Sequence, residues 1–513
     1  MLLFARSRAP RPSRPAGPKA PRTRGVLLAL ATSVTLVAAS APSPATPLGV
    51  GDRLFPHLGN PGYDVTSYDL SFTYPGVNDK AMAAVTVIEA RATARLESLN
   101  LDFSHGKVGS VDVNGAPARF TTADEDLVVT PSRPVPVGGR LRIVVRHTSD
   151  PVPAKDTDPG WVQTKDGLVM ANQADAAHRV FPCNDHPSDK ADFTFRITTP
   201  KGLTAVANGL SAGTERRADT TTWTYRTRHP MATELAQVSI GKSTVVHREG
   251  PQGLPLRDVV PTKDRKILEP WLRKTPDQIA WMEGKVGRYP FETYGLVIAE
   301  ARTGFELETQ TLSLFERELF VRPEYPSWYI DSIMVHELSH QWFGDSVSPR
   351  TWSDLWLNEG HATWYEATYA DEKGHYKLDT RMKDAYGRSD AWRAAGGPPA
   401  HPKGPEPGQK ISIFRPVVYD GSALVLYALR QEIGRPAFER LERAWVRTYR
   451  DGTATTGDFV DLASATAGRD LSGFFDAWLY GAKTPAMPGH PDWKQQPPPA
   501  RQQPPAQQQP SAK

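Results

Sequence analysis

The pattern that most constrains the fold of this chain is a pair of histidines, His336 and His340, in the stretch VHELSHQWFGDSV. On a helix, residues four apart project only about 40° from each other, so both imidazoles face the same side. Glu359 follows in a second helical stretch, WLNEGHATW. If one ion binds all three side chains, the two helices must pack against each other, either antiparallel or crossed.

The residue types in this pattern are those of a metal site. Two imidazoles with Glu337 directly after the first form the H-E-x-x-H arrangement of zinc proteases, and Glu359 offers the third protein ligand that catalytic zinc requires. With 13 histidines in 513 residues, chance gives an H-E-x-x-H match in roughly 2% of such chains, and in about 0.1% with the added glutamate. Without an ion, these buried residues would also carry unmet charge. We therefore predict one zinc ion per chain, bound by His336, His340 and Glu359.

We predict structural roles for two further residues with reactive side chains, His361 and Cys183. His361 lies two residues after Glu359, on another face of the same helix, and we predict an ordinary surface or core histidine. Cys183 is the sole cysteine, and no histidine and asparagine pattern of a cysteine protease accompanies it. We predict that Cys183 is a small buried residue.

The charge distribution argues against a nucleic-acid partner. The formal net charge is +4, but residues 1 to 24 contain seven basic residues and no acid, so the remainder carries 4 − 7 = −3. The remainder shows no basic patch interleaved with aromatic residues. A hydrophobic content of 39% is ample for packed cores, and a chain of this length suits two or three domains.

The basic segment is followed by an apolar run, GVLLALATSVTLVAASA. This order is typical of a secretory signal peptide, and we predict that residues 1–45 are signal and leader, cut around Ala39 to Ala45 so that the mature chain begins between Ser40 and Pro47. The mature protein would be secreted, with no membrane contact after cleavage. An uncleaved membrane anchor is the alternative, although a bilayer crossing needs roughly 20 apolar residues.

Hydrophobic periodicity divides the rest of the chain. Alternation of apolar and polar residues, with a period of two, predicts a β domain over residues 46–248. A helical period of apolar residues predicts a second domain over 249–485. Glycine and proline in residues 247–264 indicate a linker or domain crossing. We expect one helix with Ser327 as its N-cap that stops at Gly344, a second helix from Ser353 toward Gly374, and further helices around residues 423–445 and 471–481. The Gln/Pro-rich residues 486–513 predict a disordered tail.

Several motifs resemble one known family, the zinc aminopeptidases grouped with aminopeptidase N and leukotriene hydrolase. HELSHQWFGDSV and WLNEGHATW are similar to its zinc signature, with the gluzincin spacing of eighteen residues before the third ligand. HRVFPCNDHPSDKADFTFRI resembles a segment of its N-terminal β domain, and VVYDGSALVLYALR one of its catalytic helices. The resemblance implies a multidomain fold: an all-β, saddle-like domain followed by a thermolysin-like, α+β and mainly helical zinc domain. It runs from about residue 63 to 480 and implies a short form without the family's C-terminal helical domain.

The same resemblance suggests further site residues. FELET, residues 305–309, is the counterpart of the family's G-x-M-E-N strand, with Phe305 in place of glycine and Thr309 in place of asparagine. It implies Glu308 as the carboxylate that binds a substrate amine. Gln173, where relatives often have glutamate, would support it, and Tyr419 matches the family tyrosine that stabilises an oxyanion.

If residues 305–310 form an edge strand, Glu306 shares the face of Glu308. We predict either an accessory acid or a solvated strand residue at Glu306.

These residues predict a secreted zinc aminopeptidase acting on peptides with a free N-terminus. Glu337 would be the general base that activates water and then protonates the leaving amine. Two alternatives remain open: another zinc hydrolase on the same frame, either an endopeptidase or an epoxide hydrolase, and a non-catalytic scaffold. Glu308 favours the aminopeptidase over an endopeptidase, and Glu337 argues against a scaffold. The oligomeric state is not predicted.

Overall fold

The computed structural model describes residues 49–152, 160–406 and 410–496, apart from the side chains of residues 410 and 411. The predicted signal segment and leader, residues 1–45, lie outside these ranges. Among the described helices, none has both the length and the apolar character needed to cross a bilayer.

The strands are β1 (Tyr63–Thr73), β2 (Met82–Ala92), β3 (Leu99–Asp102), β4 (Val108–Val113), β5 (Ala116–Pro117), β6 (Arg119–Ala123), β7 (Asp126–Thr130), β8 (Arg140–Ser149), β9 (Trp161–Gln163), β10 (Leu168–Met170), β11 (Asp192–Pro200), β12 (Thr204–Ala207), β13 (Leu210–Arg216), β14 (Thr220–Arg226), β15 (Val238–Gly241), β16 (Ser243–Glu249), β17 (Pro255–Pro261), β18 (Leu296–Ala299), β19 (Ser313–Glu316), β20 (Ser348–Pro349) and β21 (Thr453–Ala454).

The α-helices are α1 (Arg265–Leu272), α2 (Thr275–Val286), α3 (Arg317–Val321), α4 (Ser327–Ser339), α5 (Trp356–Glu372), α6 (Leu378–Gly396), α7 (Asp420–Ile433), α8 (Arg435–Thr448), α9 (Thr456–Ala467) and α10 (Ser472–Phe475).

The first half of the chain is built of sheets, as the period-two pattern predicts. Its largest sheet has eight strands in the order β13-β14-β11-β1-β2-β8-β4-β5, and smaller sheets contain β12-β15-β10-β9 and β3-β7-β6. On β1, Tyr68, Leu70 and Phe72 are buried while the residues between them are half-exposed. Alternate residues of a strand face opposite sides, so one face packs into the core of this half.

Residues 247–264 are not a linker. β16 and β17 pair as an antiparallel hairpin, from Ser243 opposite Pro261 to Glu249 opposite Pro255, and this hairpin continues into a four-stranded sheet ordered β16-β17-β18-β19. The glycine and proline cluster occupies the hairpin turn, where Gln252 and Gly253 have φ values of 57° and 77°. The linker prediction is wrong because a tight turn and a longer unstructured segment use the same residue types. The alternative, a domain crossing, stays a prediction.

The second half is mainly helical, and α4 and α5 pack against each other. Ser327 is not the N-cap of α4. Pro326, with extended backbone angles, occupies that position without a side-chain cap, and the helix ends at Ser339 rather than at Gly344. His340 is therefore the C-cap, but it keeps helical backbone angles of −58° and −26°, so the four-residue spacing of the histidines still places them on one side.

The segment before α5 contains a single 3₁₀ turn, Trp352–Asp354, closed by a capping box between Thr351 and Asp354. The predicted helical regions around residues 423–445 and 471–481 are confirmed as α7, α8 and α10. A π-helical turn at Asp476–Tyr480 follows α10 directly.

Part of the expected disordered tail is ordered. Trp493 is 7% exposed, and its ring stacks on His490 and Tyr427 at centroid distances of 4.3 and 5.7 Å. The Gln496 backbone N–H donates to the Gly387 carbonyl at 2.7 Å. Single aromatic anchors without periodicity give no sequence signal of packing, which explains the error for residues 486–496. Residues 497–513 lie outside the described ranges.

The two halves are joined by polar contacts that are buried or partly buried. The Lys190 ammonium, from the sheet half, donates to the carbonyls of Asp345 and Ser346 at 2.6 and 3.1 Å, a few residues after His340. The Asn208 side chain donates to the Gln310 carbonyl at 2.6 Å. The predicted boundary at residue 248 remains a prediction, because the described residues form one compact unit.

Candidate metal centre

The three predicted ligands converge at the contact between α4 and α5. Glu359 Oε2 lies 3.3 Å from His336 Nε2 and 3.6 Å from His340 Nε2. All three residues are buried: Glu359 is 2% exposed, His336 is 8% exposed and His340 is 1% exposed. The helix pairing predicted from the sequence therefore brings one oxygen and two nitrogens together in the protein interior.

The spacing of these atoms fits a tetrahedral ion. Zinc bonds of about 2.0–2.1 Å at tetrahedral angles place neighbouring ligand atoms about 3.3 Å apart. Glu359 Oε2 is buried without a hydrogen-bond partner, as a carboxylate oxygen reserved for an ion would be. Two imidazoles and one carboxylate are a donor set of catalytic zinc, which leaves its fourth position open.

The second nitrogen of each imidazole is held by a neighbouring acceptor. His336 Nδ1 lies 3.1 Å from Glu366 Oε2, and His340 Nδ1 lies 3.1 Å from the Phe343 carbonyl. Both acceptors require a proton on Nδ1, which leaves each Nε2 with a lone pair toward Glu359. Glu366 is in turn bound by Arg381 at 2.7 Å.

Glu337 and Tyr419 lie beside the ligands. Glu337 is 5% exposed, and its Oε2 is buried without a hydrogen-bond partner. Burial raises the pKa of Glu337, while His336 and His340 lower it. The Tyr419 ring lies 6.0 Å from the His336 ring between centroids. Burial raises the pKa of the Tyr419 phenol well above 10, so it remains a hydrogen-bond donor at neutral pH.

Glu308 closes one side of the site. Its carboxylate lies within 4.8 Å of the ligand atoms of both Glu337 and His340, and it accepts a hydrogen bond from Gln173 Nε2 at 2.7 Å. The structure thus brings together Glu308 and Gln173, which are 135 residues apart in the chain.

The segment around Glu308 is extended but is not a regular strand. Leu307 pairs with Leu314 through two backbone hydrogen bonds of 2.9 and 2.7 Å, and no further ladder forms among the described residues. Glu306 accepts a hydrogen bond from the Glu316 backbone N–H at 2.6 Å. The residue is half-buried, and the choice between an accessory acid and a solvated strand residue stays a prediction.

The structural interpretations of His361 and Cys183 are confirmed. Both residues are fully buried. The His361 ring stacks on Phe343 at a centroid distance of 4.3 Å and its Nε2 lies 3.3 Å from Glu442. Burial raises the pKa of the Cys183 thiol well above 9, which keeps it unreactive.

Sequence reasoning missed the residues that support the ligands. Glu366 lies seven residues after Glu359, two turns along the same helix face, and that spacing could have identified it. Arg381, which binds Glu366, lies on α6, and nothing in its local sequence indicates a role near the metal ligands.

The fold and the site together define a class: a β-sheet half followed by a helical half that carries an H-E-x-x-H and glutamate metal centre. Two family profiles match the chain. The Peptidase family M1 domain matches residues 272–478, and the Peptidase M1 N-terminal domain matches residues 163–235.

Similar proteins agree with these matches. Glutamyl aminopeptidase of Mus musculus is 24% identical over 317 residues, which are 59% of this chain and 33% of the relative. Probable aminopeptidase 1 of Saccharolobus solfataricus is 22% identical over 447 residues, 83% of this chain and 54% of the relative. An M1 zinc metallopeptidase crystal structure from Deinococcus radiodurans has a TM-score of 0.74 and 27% identity, covering 86% of this chain and 98% of the other.

This chain belongs to the peptidase M1 family. It spans a third of the length of glutamyl aminopeptidase and about half that of the archaeal relative. Over nearly its whole length, the Deinococcus structure has the same two-part fold.

Proposed function

We propose that this chain is a zinc aminopeptidase that removes N-terminal residues from peptides. His336, His340 and Glu359 would hold one zinc ion. When bound, zinc would polarise the scissile carbonyl and make water a better nucleophile at neutral pH. The tetrahedral spacing of the three ligand atoms and the unpartnered Glu359 Oε2 support this assignment.

The chain's own residues supply the proton transfers and the charge stabilisation. Glu337, with one carboxylate oxygen free, takes a proton from water and passes it to the leaving amine. Tyr419 donates its phenolic O–H to the oxyanion that develops on the scissile carbonyl. Burial keeps this phenol protonated, so it is ready to donate without a preceding proton transfer.

The observation that carries the exopeptidase assignment is the position of Glu308. Its carboxylate lies within 4.8 Å of the Glu337 and His340 ligand atoms, one residue's reach from the bond that would be cut. A peptide α-ammonium has a pKa near 8 and is largely charged at neutral pH. A carboxylate at this place binds the free N-terminus, whereas an endopeptidase has no use for it. Gln173 would support Glu308, and the backbone bond of Glu306 favours a structural role there.

A comparison of two substrates tests this assignment. The purified protein should hydrolyse leucine arylamide strongly in preference to N-acetyl-leucine arylamide, and a chelator should abolish the hydrolysis. Glu308→Ala should lose the preference for the free amine. Glu324→Ala is the matched control, because this glutamate is on the surface with its side chain 58% exposed, and it should behave like the wild type.

Other outcomes identify the alternatives. A wild type that cleaves both compounds equally well would favour an endopeptidase. A folded, zinc-loaded protein without chelator-sensitive hydrolysis of any peptide or epoxide would favour a non-catalytic scaffold.

We also propose that the protein is exported by its N-terminal segment. The basic run and the apolar stretch before residue 45 support this proposal. N-terminal sequencing of protein from the culture medium should give a start between Ser40 and Pro47. Protein that begins at Met1 and stays with the cells would contradict it.

A further inference from the structure

One arginine side chain binds two acids that lie on different helices beside the metal centre. Arg381, on α6, donates from Nη1 to Glu366 Oε1 at 2.7 Å and from Nε to Asp420 Oδ1 at 2.8 Å. Glu366 lies on α5, and Asp420 is the first residue of α7. The bond to Asp420 adds nothing to the support of His336, so it indicates a second role for this arginine.

The two acids lead to different parts of the site. Glu366 Oε2 lies 3.1 Å from His336 Nδ1, so this acid holds a predicted metal ligand. Asp420 shares a peptide group with Tyr419, which is the N-cap of α7. The Tyr419 carbonyl accepts the backbone N–H of Ala423 at 2.9 Å. A displacement of Asp420 would therefore also move the backbone of the proposed oxyanion donor.

The first turn of α7 is also packed tightly against the helix that carries the third ligand. Gly360 directly follows Glu359, and a Cβ added at Gly360 would lie only 2.7 Å from Ser422 Cβ, too close for two carbon atoms that are not bonded to each other. The start of α7 is thus fixed by this close contact with α5 and by the bond from Arg381 to Asp420.

A guanidinium suits this place because it is planar and rigid. Its N–H donors point in fixed directions, so an arginine that binds two carboxylates also sets the distance between them. Glu366 is buried and Arg381 is half-buried. A lysine ammonium at the same place would keep the charge but lose the fixed geometry.

We propose that Arg381 is a positioning residue that couples His336, a predicted metal ligand, to Tyr419, the proposed oxyanion donor. The coupling runs through Glu366 toward the metal centre and through Asp420 toward the phenol. The rings of His336 and Tyr419 lie 6.0 Å apart between centroids. An oxyanion is stabilised best by groups whose separation is fixed before the reaction begins. This inference rests on the proposed function, because it deepens the role given there to Tyr419.

The test compares an analogue of the transition state with a ligand that resembles the substrate. Leucine phosphonate carries anionic oxygens where the tetrahedral oxyanion would form and leucine amide does not, so only the phosphonate should depend on the Tyr419 phenol. Calorimetry with zinc-loaded protein measures both affinities. Asp420→Ala should bind leucine phosphonate about tenfold more weakly, as for one displaced hydrogen bond to a charged group, and leucine amide as tightly as the wild type.

A double-mutant cycle separates positioning from general damage. In a Tyr419→Phe background the phenolic O–H is already absent, so Asp420→Ala should weaken leucine phosphonate binding by less than about twofold. Asp420→Asn keeps an oxygen that can accept from Arg381 Nε, and it should bind the phosphonate within about threefold of the wild type. Both Asp420 variants should keep wild-type zinc affinity in chelator competition, since Glu366 keeps its bond to Arg381.

Substitution of the arginine should affect both ends of the coupling. Arg381→Met is expected to bind zinc about tenfold more weakly and, once saturated with zinc, to bind leucine phosphonate about tenfold more weakly. Arg381→Lys is the second variant in case Arg381→Met does not fold. It should show at least about threefold of each loss, and its phosphonate loss should disappear in the Tyr419→Phe background. Arg388→Met is the control on the same helix, because Arg388 is exposed, and it should match the wild type.

Three results would overturn the coupling. The first is an unchanged phosphonate affinity in Asp420→Ala and Arg381→Lys, or a loss that persists in the Tyr419→Phe background. The second is an unchanged zinc affinity in the Arg381 variants, and the third is an equal weakening of leucine amide, which indicates general damage. A wild type that shows the expected shifts but hydrolyses no arylamide would contradict the proposed function while supporting the coupling.

Discussion

At the scale of single residues, the metal centre depends on groups that bind no ion themselves. Glu366 and the Phe343 carbonyl fix the protonated nitrogen of the two histidines, and Arg381 fixes Glu366 in turn. Such outer contacts orient the imidazoles and raise their basicity. Their loss should therefore weaken metal binding without removing a ligand.

Glu366→Gln tests this dependence. The oxygen of the introduced amide can still accept a hydrogen bond from His336 Nδ1, but the amide carries no charge. We therefore expect zinc affinity to fall about 10-fold to 100-fold. Competition with a chromogenic chelator measures the change. Glu372→Gln, at the exposed end of α5 and paired with Lys285, is the control on the same helix. Equal affinities for the wild type and Glu366→Gln would contradict the proposed support of His336.

Variants that lack the general base or the oxyanion donor should differ in zinc content from a variant that lacks a metal ligand. Glu337→Gln and Tyr419→Phe are expected to keep a full zinc complement and to lose roughly 10² or more in turnover. Glu359→Ala should lose zinc as well. Elemental analysis alongside arylamide hydrolysis distinguishes these results. Near-normal turnover in either of the first two variants, or full zinc in Glu359→Ala, would refute the role assigned to that residue.

At the scale of elements, the sheet half contains a buried histidine between two strands. His147 on β8 accepts from the Thr86 hydroxyl of β2 at Nε2, 2.9 Å away, and its Nδ1 lies 3.1 Å from the Thr148 carbonyl. Burial lowers its pKa to about 4, and the bond to Thr148 offsets this only in part. The neutral ring is thus built into the pairing of the two strands.

This histidine predicts an acid-sensitive sheet half. Its folded pKa lies below the unfolded value of about 6.5, so the unfolded chain binds the proton first and stability falls as pH drops from about 6.5 to 4. The expected loss is about 3 kcal/mol. His147→Gln should reduce that loss in urea unfolding measured across this range, while His247→Gln, exposed on β16, should not. Identical pH profiles for the wild type and His147→Gln would contradict the prediction.

At the scale of the whole molecule, the site is shared by the two halves. The sheet half contributes Gln173, whose amide donates to Glu308, and the helical half contributes Glu308 and the predicted metal ligands. Residues near the described N-terminus also contact the helical half, since Leu54 and Phe55 pack with Trp352 in a separate small core. The sheet half is therefore part of the site as well as its support.

Metal removal should destabilise the entire protein. Without the ion, buried oxygens of Glu337 and Glu359 have no hydrogen-bond partner. At free zinc about 1,000-fold above Kd, bound metal adds about 4 kcal/mol to the free energy of unfolding. Calorimetry with and without chelator should show a lower Tm for the apoprotein, and Glu359→Ala should show little change. A wild-type Tm indifferent to chelator would contradict tight zinc binding.

Local spacing in the sequence encodes the part of the site whose residues lie close together in the chain. His336, Glu337 and His340 lie within five residues of one another, and their chemistry is independent of distant contacts. Alternating burial likewise followed from the period of a strand. The sequence could not determine where turns end and order stops, as the hairpin at residues 243–261 and the packed Trp493 show, because turn residues and isolated aromatics have no periodicity.

Which distant residues meet depends on how the two halves pack. Glu366 could have been inferred from its helical spacing, but its partner Arg381 could not, since nothing in the local sequence of α6 marks that residue. The Gln173 amide joins Glu308 only because the two halves pack along the segment 305–311. Contacts between residues far apart in the chain depend on this packing, and a single sequence carries no signal for them beyond the family resemblance that suggested Glu308 and Gln173.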